Sequence, residues 1–316
     1  MSAYNEKYNL FMQPETNQYG NHMVMTNVQK QNKHKYVNID TKFSDEYEQA
    51  QTTNENADHI SNQSELSTFT ISLPHSIREV KTMKVIGAEI PMAYYNISSN
   101  LGNNYFKITI SGTESIIELD DGNYNIGNLN TEIASKLTIA GITTLTFTLV
   151  ENGKTTIFNS GPETIVDFAI NKSGINDKYR FKSKLGWCFG FRNTTYTIDI
   201  NKTLSSEKIS NLLGTKYLYI TVEEFNKGNE NSFVVPLYSS LINKNIIARI
   251  GVNQKDYPFG TILPSSLASG SLISDTRNYN GKIDLQKLKV SLLNDDGIPV
   301  VLNGSDFSFC IELQHE

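Results

Sequence analysis

The sequence predicts an all-β fold built from antiparallel sheet, and three observations carry that reading. The last thirty residues hold apolar runs joined by two hairpin dipeptides, Asp296-Gly297 and Asn303-Gly304, which tolerate the positive φ of tight turns. In the final run Phe307, Phe309, Ile311 and Leu313 alternate with Asp306, Ser308, Cys310 and Glu312, the period of a half-buried strand. From Leu66 onward, strand-like runs recur between Gly, Asn and Asp turns, a spacing that points to a sandwich or barrel.

Taken in order, residues 1–65 stand apart. They are rich in Asn, Gln, Tyr, Glu, Lys and Thr, and their apolar residues are isolated. Val37–Phe43 is the one short strand expected there, and Glu46–Ser64 reads as a polar loop or disordered stretch. Two readings stay open for this segment: a floppy tail, or an extended arm that orders on partners through Tyr4, Tyr8, Phe11 and Met12. Fully extended, 65 residues reach on the order of 200 Å, against a radius of gyration of about 18 Å for a compact body of the remaining chain. Such an arm could cross a neighbouring subunit.

The body, 66–316, is expected to be a single sandwich domain. Thr68–Leu73 alternates and stops at Pro74; Val80–Ile90 is apolar enough on both faces to be buried and ends at Pro91. Tyr105–Ile110 and Ser115–Leu119 bracket a turn. Further strands are expected at 144–150, 155–158, 164–170, 185–191, 196–200, 216–225, 233–237 and 246–252. Two segments break towards helix. Ile126, Leu129, Ile133 and Leu137 fall at helical spacing, with Asn125 or Asn128 as N-cap and Gly141 beyond the end, and Ser206–Leu213 suggests a short turn before Gly214. In Leu185–Arg192, read as a strand, the small residues Gly186, Cys188 and Gly190 leave room for another backbone or ring to approach closely.

Bulk properties exclude several classes. The 316 residues carry a net charge of −5, which argues against coating nucleic acid. No run of eighteen apolar residues exists to span a membrane, and the N-terminus lacks the apolar stretch of a secretory signal. Two cysteines, Cys188 and Cys310, in a chain this long suggest a reducing compartment rather than a disulfide framework.

Chemical constellations are sparse, so no catalytic, cofactor-binding or metal-binding residue is assigned and the chain is not expected to be an enzyme. His22, His34, His59, His75 and His315 lack metal-ligand spacing. Asp120-Asp121-Gly122 lacks the oxygen spacing of a calcium loop and reads as a turn. Glu223 and Glu224 read as solvated surface at a strand end. Exposed rings such as Tyr94, Tyr95, Tyr257 and Tyr279 would support an alternative role, a carbohydrate-binding or host-attachment β-sandwich.

Tyr36–Phe43, Phe69–Pro74, Val85–Ile97, Gly122-Asn-Tyr, Leu185–Arg192, Tyr217–Ile220 and Leu292–Leu313 occur in an order that resembles the minor capsid and penton-type proteins of nucleocytoplasmic large DNA viruses. That resemblance implies an antiparallel β-sandwich of jelly-roll type with one or two short inserted helices and an extended N-terminal arm. It implies a structural virion protein, a minor capsid or penton (vertex) subunit of an icosahedral capsid assembled in the host cytoplasm. The partners it implies are the major capsid protein and neighbouring copies of this chain, in a homo-oligomer such as a pentamer, without direct contact with nucleic acid.

Overall fold

The computed structural model describes residues 32–46, 67–225 and 245–316. Their architecture is all-β and antiparallel, with two inserted helices. An eight-stranded sheet contains β1 (Lys33–Asp40), β2 (Thr68–Pro91), β10 (Tyr217–Glu223), β11 (Ile246–Gly251), β12 (Ile262–Ser266), β13 (Leu272–Ser274), β14 (Arg277–Leu293) and β15 (Ser308–His315). Its order is β1-β15-β2-β14-β10-β11-β13, with β12 paired to β2. Nearly all neighbours are far apart in sequence, the long-crossover connectivity of a jelly-roll sandwich. Buried residues from its strands, including Ile39, Phe69, Val85, Ile220, Val290 and Phe309, form one cluster, so the sheet wraps a common core.

β15 behaves as its alternation requires: Phe309, Ile311 and Leu313 are buried and the residues between them are not fully so. Phe307 packs edge-on against Phe69 and stacks on Phe309, at centroid separations of 5.7 and 6.3 Å. The turn glycines Gly297 and Gly304 adopt positive φ, as does Asn303. Between those turns the expected strand shrinks to an isolated bridge, Leu293 with Pro299.

Pro74 does not end its strand. β2 runs through it for 24 residues because Pro74 lies in an irregularity of the β2–β14 ladder, where pairing jumps from Ser72–Lys287 to Ile77–Leu285. Its missing N–H therefore costs no ladder hydrogen bond.

Residues 97–198 build a second apolar cluster. It is enclosed by a four-stranded sheet, β4 (Thr113–Glu118), β3 (Tyr105–Ile110), β7 (Thr164–Asp167) and β8 (Thr195–Ile198), and a three-stranded one, β5 (Leu145–Thr148), β6 (Lys154–Asn159) and β9 (Lys202–Ile209). Helix α1 (Ile126–Ile139) buries Leu129, Ile133 and Leu137, the positions its period selects. Asn125 is the N-cap, its side chain accepting from the Asn128 N–H at 2.9 Å, and Gly141 takes positive φ beyond the end. Asn96 ties the segment's entry to its exit: its amide donates to the carbonyls of Tyr124 and Leu212 at 2.8 and 3.0 Å and accepts from the Tyr124 N–H at 2.9 Å.

Two elements differ from expectation. Leu185–Cys188 is a single helical turn, α2, not a strand. Leu185 and Phe189 are both buried and satisfy either period, two or four, and the Phe189 N–H closes on the Leu185 carbonyl at 3.0 Å. The close approaches expected of the glycines are present all the same. A Cβ on Gly186 would lie 2.4 Å from the Phe168 ring, and one on Gly190 would lie 2.1 Å from the Lys208 carbonyl oxygen. Ser206–Leu213 is not a helical turn: its first residues complete β9, where the buried Ser206 hydroxyl accepts from the Thr155 N–H and donates to the Lys208 carbonyl. The strand expected at 233–237 lies outside the described residues.

Candidate assembly surface

The described part of the N-terminal segment is stitched into the large sheet. β1 runs antiparallel to β15 in continuous register from Lys33–His315 to Asp40–Ser308, so Ile39 sits opposite Phe309 and is fully buried. The Asp40 side chain caps the 3-10 turn Thr41–Phe43 by accepting from the Lys42 N–H at 2.9 Å. The buried Thr41 hydroxyl then donates to the Phe307 carbonyl at 3.0 Å. Beyond it, Asp45 takes hydrogen bonds from the Ser72 N–H and hydroxyl and an ion pair from Lys287 at 3.1 Å. Burial pulls the Asp45 carboxyl up, but the Ser72 and Lys287 contacts outweigh it and hold the group below its usual range. The one strand expected in the N-terminal segment, at Val37–Phe43, is present at Lys33–Asp40, and the turn after it is tied back to β2 and β14.

Among the described residues, no strand pairs with the outer edge of β1. Lys33 and Lys35 are exposed along it, and such charges blunt indiscriminate strand pairing. Tyr36 and Phe43 stand 61% and 71% exposed beside it. His34 pairs with Glu312 across the β1–β15 ladder at 2.7 Å. The anchor residues expected from sequence, Tyr4, Tyr8, Phe11 and Met12, lie outside the described residues.

Asp120, Asp121 and Glu224 are each engaged in structural contacts, and the 120–121 turn lies in a different part of the fold from the strand end at 223–224. Asp120 pairs with Lys136 of α1 at 2.5 Å, and Asp121 accepts from the Ser99 N–H and hydroxyl. Glu224 corrects the sequence reading: it is not solvated surface. Its side chain is 6% exposed and meets the Arg277 guanidinium, itself 1% exposed, at 2.5 Å, while the Tyr279 hydroxyl donates to the same oxygen. The signal for this was Arg277 and Tyr279 lying two apart, which puts both on one face of a strand, the buried face of β14. Among the described residues, no group of three or more His, Cys, Asp or Glu is placed to hold a metal.

Both cysteines are free. Burial pushes the Cys188 thiol up to about 11 despite Arg192 nearby, and burial together with Glu89 and Glu312 raises Cys310. Neither is poised as a thiolate at neutral pH. The rings considered for sugar stacking also need correction. Tyr94 and Tyr279 are buried, Tyr94 against Met92, and Tyr95 is already stacked on Phe259 at 5.9 Å.

No protein-family model matches the sequence, and no curated protein matches it. Among solved structures, the selenomethionine-labelled mavirus penton protein aligns over 91% of this chain and 100% of its own, at 12% identity and a TM-score of 0.39. No helix of the described residues is long and apolar enough to cross a membrane.

Proposed function

We propose that this chain is a structural virion protein, a minor capsid or penton (vertex) subunit that builds an icosahedral shell through contacts with the major capsid protein and neighbouring copies of itself. One observation carries the reading. The chain enters the sheet at β1, an edge strand locked to the C-terminal strand, and 32 residues of polar sequence precede it. A polar leader issuing from a fixed point on a wrapped sheet can place weak contacts on neighbouring subunits, and tethering turns such contacts into stable association. In this reading Tyr4, Tyr8, Phe11 and Met12 supply the leader's anchors, and Tyr36 and Phe43 extend the contact at its base. Free thiols with raised pKa values suit assembly in the host cytoplasm.

The test joins mass spectrometry of purified virions with a truncation. The full chain is expected in particles, and a chain lacking residues 1–31 is expected to fold but to enter particles poorly. Absence of the full chain from washed virions, or normal incorporation of the truncated one, would overturn the proposal.

A further inference from the structure

A cleft of about 990 Å³ opens between the second core and the turn at Asn294–Ile298 of the large sheet. One wall is the run Lys178-Tyr-Arg-Phe-Lys-Ser-Lys184, which puts four cations into seven residues of a chain whose net charge is −5. Lys184 is committed: its side chain is 4% exposed and its ammonium pairs with Asp177 at 2.9 Å. Arg180 and Lys182 are exposed at the cleft and have no acidic partner within ion-pair distance among the described residues. The same cleft is also lined by Asp295 and Asp296, from the turn of the large sheet. Burial, with the neighbouring Asp296 charge adding to it, raises the Asp295 carboxyl above its usual range and outweighs the Lys216 N–H hydrogen bond at 3.3 Å and the Lys216 charge. Half-buried Trp187 lines both this cleft and its continuation, with the Arg192 guanidinium 3.9 Å from its ring centre.

This mixture of charges selects a ligand chemistry. Cations without an acidic partner, Lys182 resting 5.9 Å over the Trp187 ring, call for an anionic group on the ligand. Two carboxylates lining the same cleft would repel a uniform polyanion, but they accept hydrogen bonds readily from hydroxyl groups. A half-buried indole offers an apolar surface between them. One acidic group, several hydroxyls and a ring describe a sugar acid. A volume of this size admits more than one such ring. We propose that the cleft binds an acidic saccharide whose carboxylate or sulfate meets Arg180 and Lys182 and whose hydroxyls donate to Asp295 and Asp296. The site is distinct from the β1 edge, and it stands whether or not the chain is a capsid subunit.

The chain's single tryptophan is Trp187, so its emission reports the cleft without a label. The full chain is titrated with a hexuronate-containing trisaccharide, its sulfated analogue, the uncharged hexose trisaccharide, sodium sulfate and a single-stranded oligonucleotide. A saturable change is expected with one or both acidic saccharides and not with the neutral one. The double variant R180A/K182A alters exposed side chains, so it should keep the parent circular dichroism and melting temperature. Its affinity should fall about tenfold or more, the loss of charged hydrogen bonds. D295N/D296N should weaken the same ligand. The proposal fails if no saccharide changes the emission, if the neutral sugar binds as well as the acidic ones, or if R180A/K182A binds like the parent. It also fails if sulfate saturates the site at the saccharide's concentration, which would mean a simple anion hole, or if the oligonucleotide binds more tightly than the saccharides.

Discussion

Replacing Glu224 with Leu removes the counter-charge of a guanidinium that has almost no access to water. Arg277 donates through one nitrogen to Glu224 and to the Val222 carbonyl at 2.5 and 2.7 Å, and through another to the Asn245 carbonyl at 3.0 Å. Its Nε has no hydrogen-bond partner. With Glu224 gone, two carbonyl dipoles remain to hold a full charge that is 1% exposed, and the Tyr279 hydroxyl keeps only the weak Met83 sulfur as acceptor. Breaking a buried pair from one side costs about 3–5 kcal/mol, since the remaining charge is left uncompensated. Arg277→Met, which strands the buried carboxylate, should cost a similar amount. The double variant buries no charge, so its cost should fall short of the sum of the two by about 2 kcal/mol or more. Urea denaturation followed by circular dichroism at neutral pH measures all three. A cost below about 1 kcal/mol for Glu224→Leu, or additivity in the double variant, would show the pair to be solvated and the reasoning wrong.

Other perturbations test separate features. Asn96→Ala removes three hydrogen bonds that join entry and exit of the second core, so it should cost about 2–4 kcal/mol in urea denaturation, whereas a change within about 0.5 kcal/mol would deny the staple. Gly190→Ala combines a φ of 91° with a Cβ 2.1 Å from the Lys208 oxygen and should lower stability by about 3 kcal/mol or more. Gly112→Ala, at φ 84° but in open space, should cost only about 1 kcal/mol; equal thermal melts for the two would refute the close approach at Gly190. Burial pushes the Tyr124 and Tyr219 hydroxyls up to about 12 and drives those of Tyr94 and Tyr279 up as well. Each folded pKa lies above the unfolded value of about 10, so this stability is intact below about pH 10 and drains away as pH rises through the folded values. Tyr94→Phe, whose hydroxyl meets only Met92 Sδ at 3.6 Å, should move alkaline unfolding to higher pH, and an unmoved or lowered transition would count against it.

Much of the fold was legible because period and punctuation agree in the body. β15 alternates cleanly, α1 carries its apolar residues at helical spacing behind an Asn cap, and the hairpin glycines take the φ for which Gly is suited. Where one pattern fits two structures, local reading went astray. Leu185 and Phe189 serve a strand or a helical turn equally, and in the fold Phe168, 18 residues earlier, packs close onto Gly186 in the turn. Pro74 looked like a terminator because the sequence does not reveal that β14 skips a register opposite it. The separation of buried residues at 97–198 from the rest left no linker in the composition, since its ends are joined by Asn96 rather than by a flexible tether.

The same limit explains why Glu224 was misread and the cleft went unseen. A carboxylate next to another at a strand end resembles solvated surface until a partner 53 positions away arrives across the sheet. The basic run at 178–184 and the acidic turn at 295–296 are each ordinary in sequence, and only the fold brings them to one cleft. Charge pairs and mixed-charge clefts are long-range properties, and their members need no local pattern to find one another. The β1 edge is the opposite case: its strand was visible as an isolated alternation in a polar segment, yet its role depends on β15 lying beside it. If the leader acts from that edge, a chain that keeps β1 but lacks residues 1–31 will separate assembly from folding. One cut beyond Phe43 cannot, because it also strips the partner from β15 and uncovers Phe307 and Phe309.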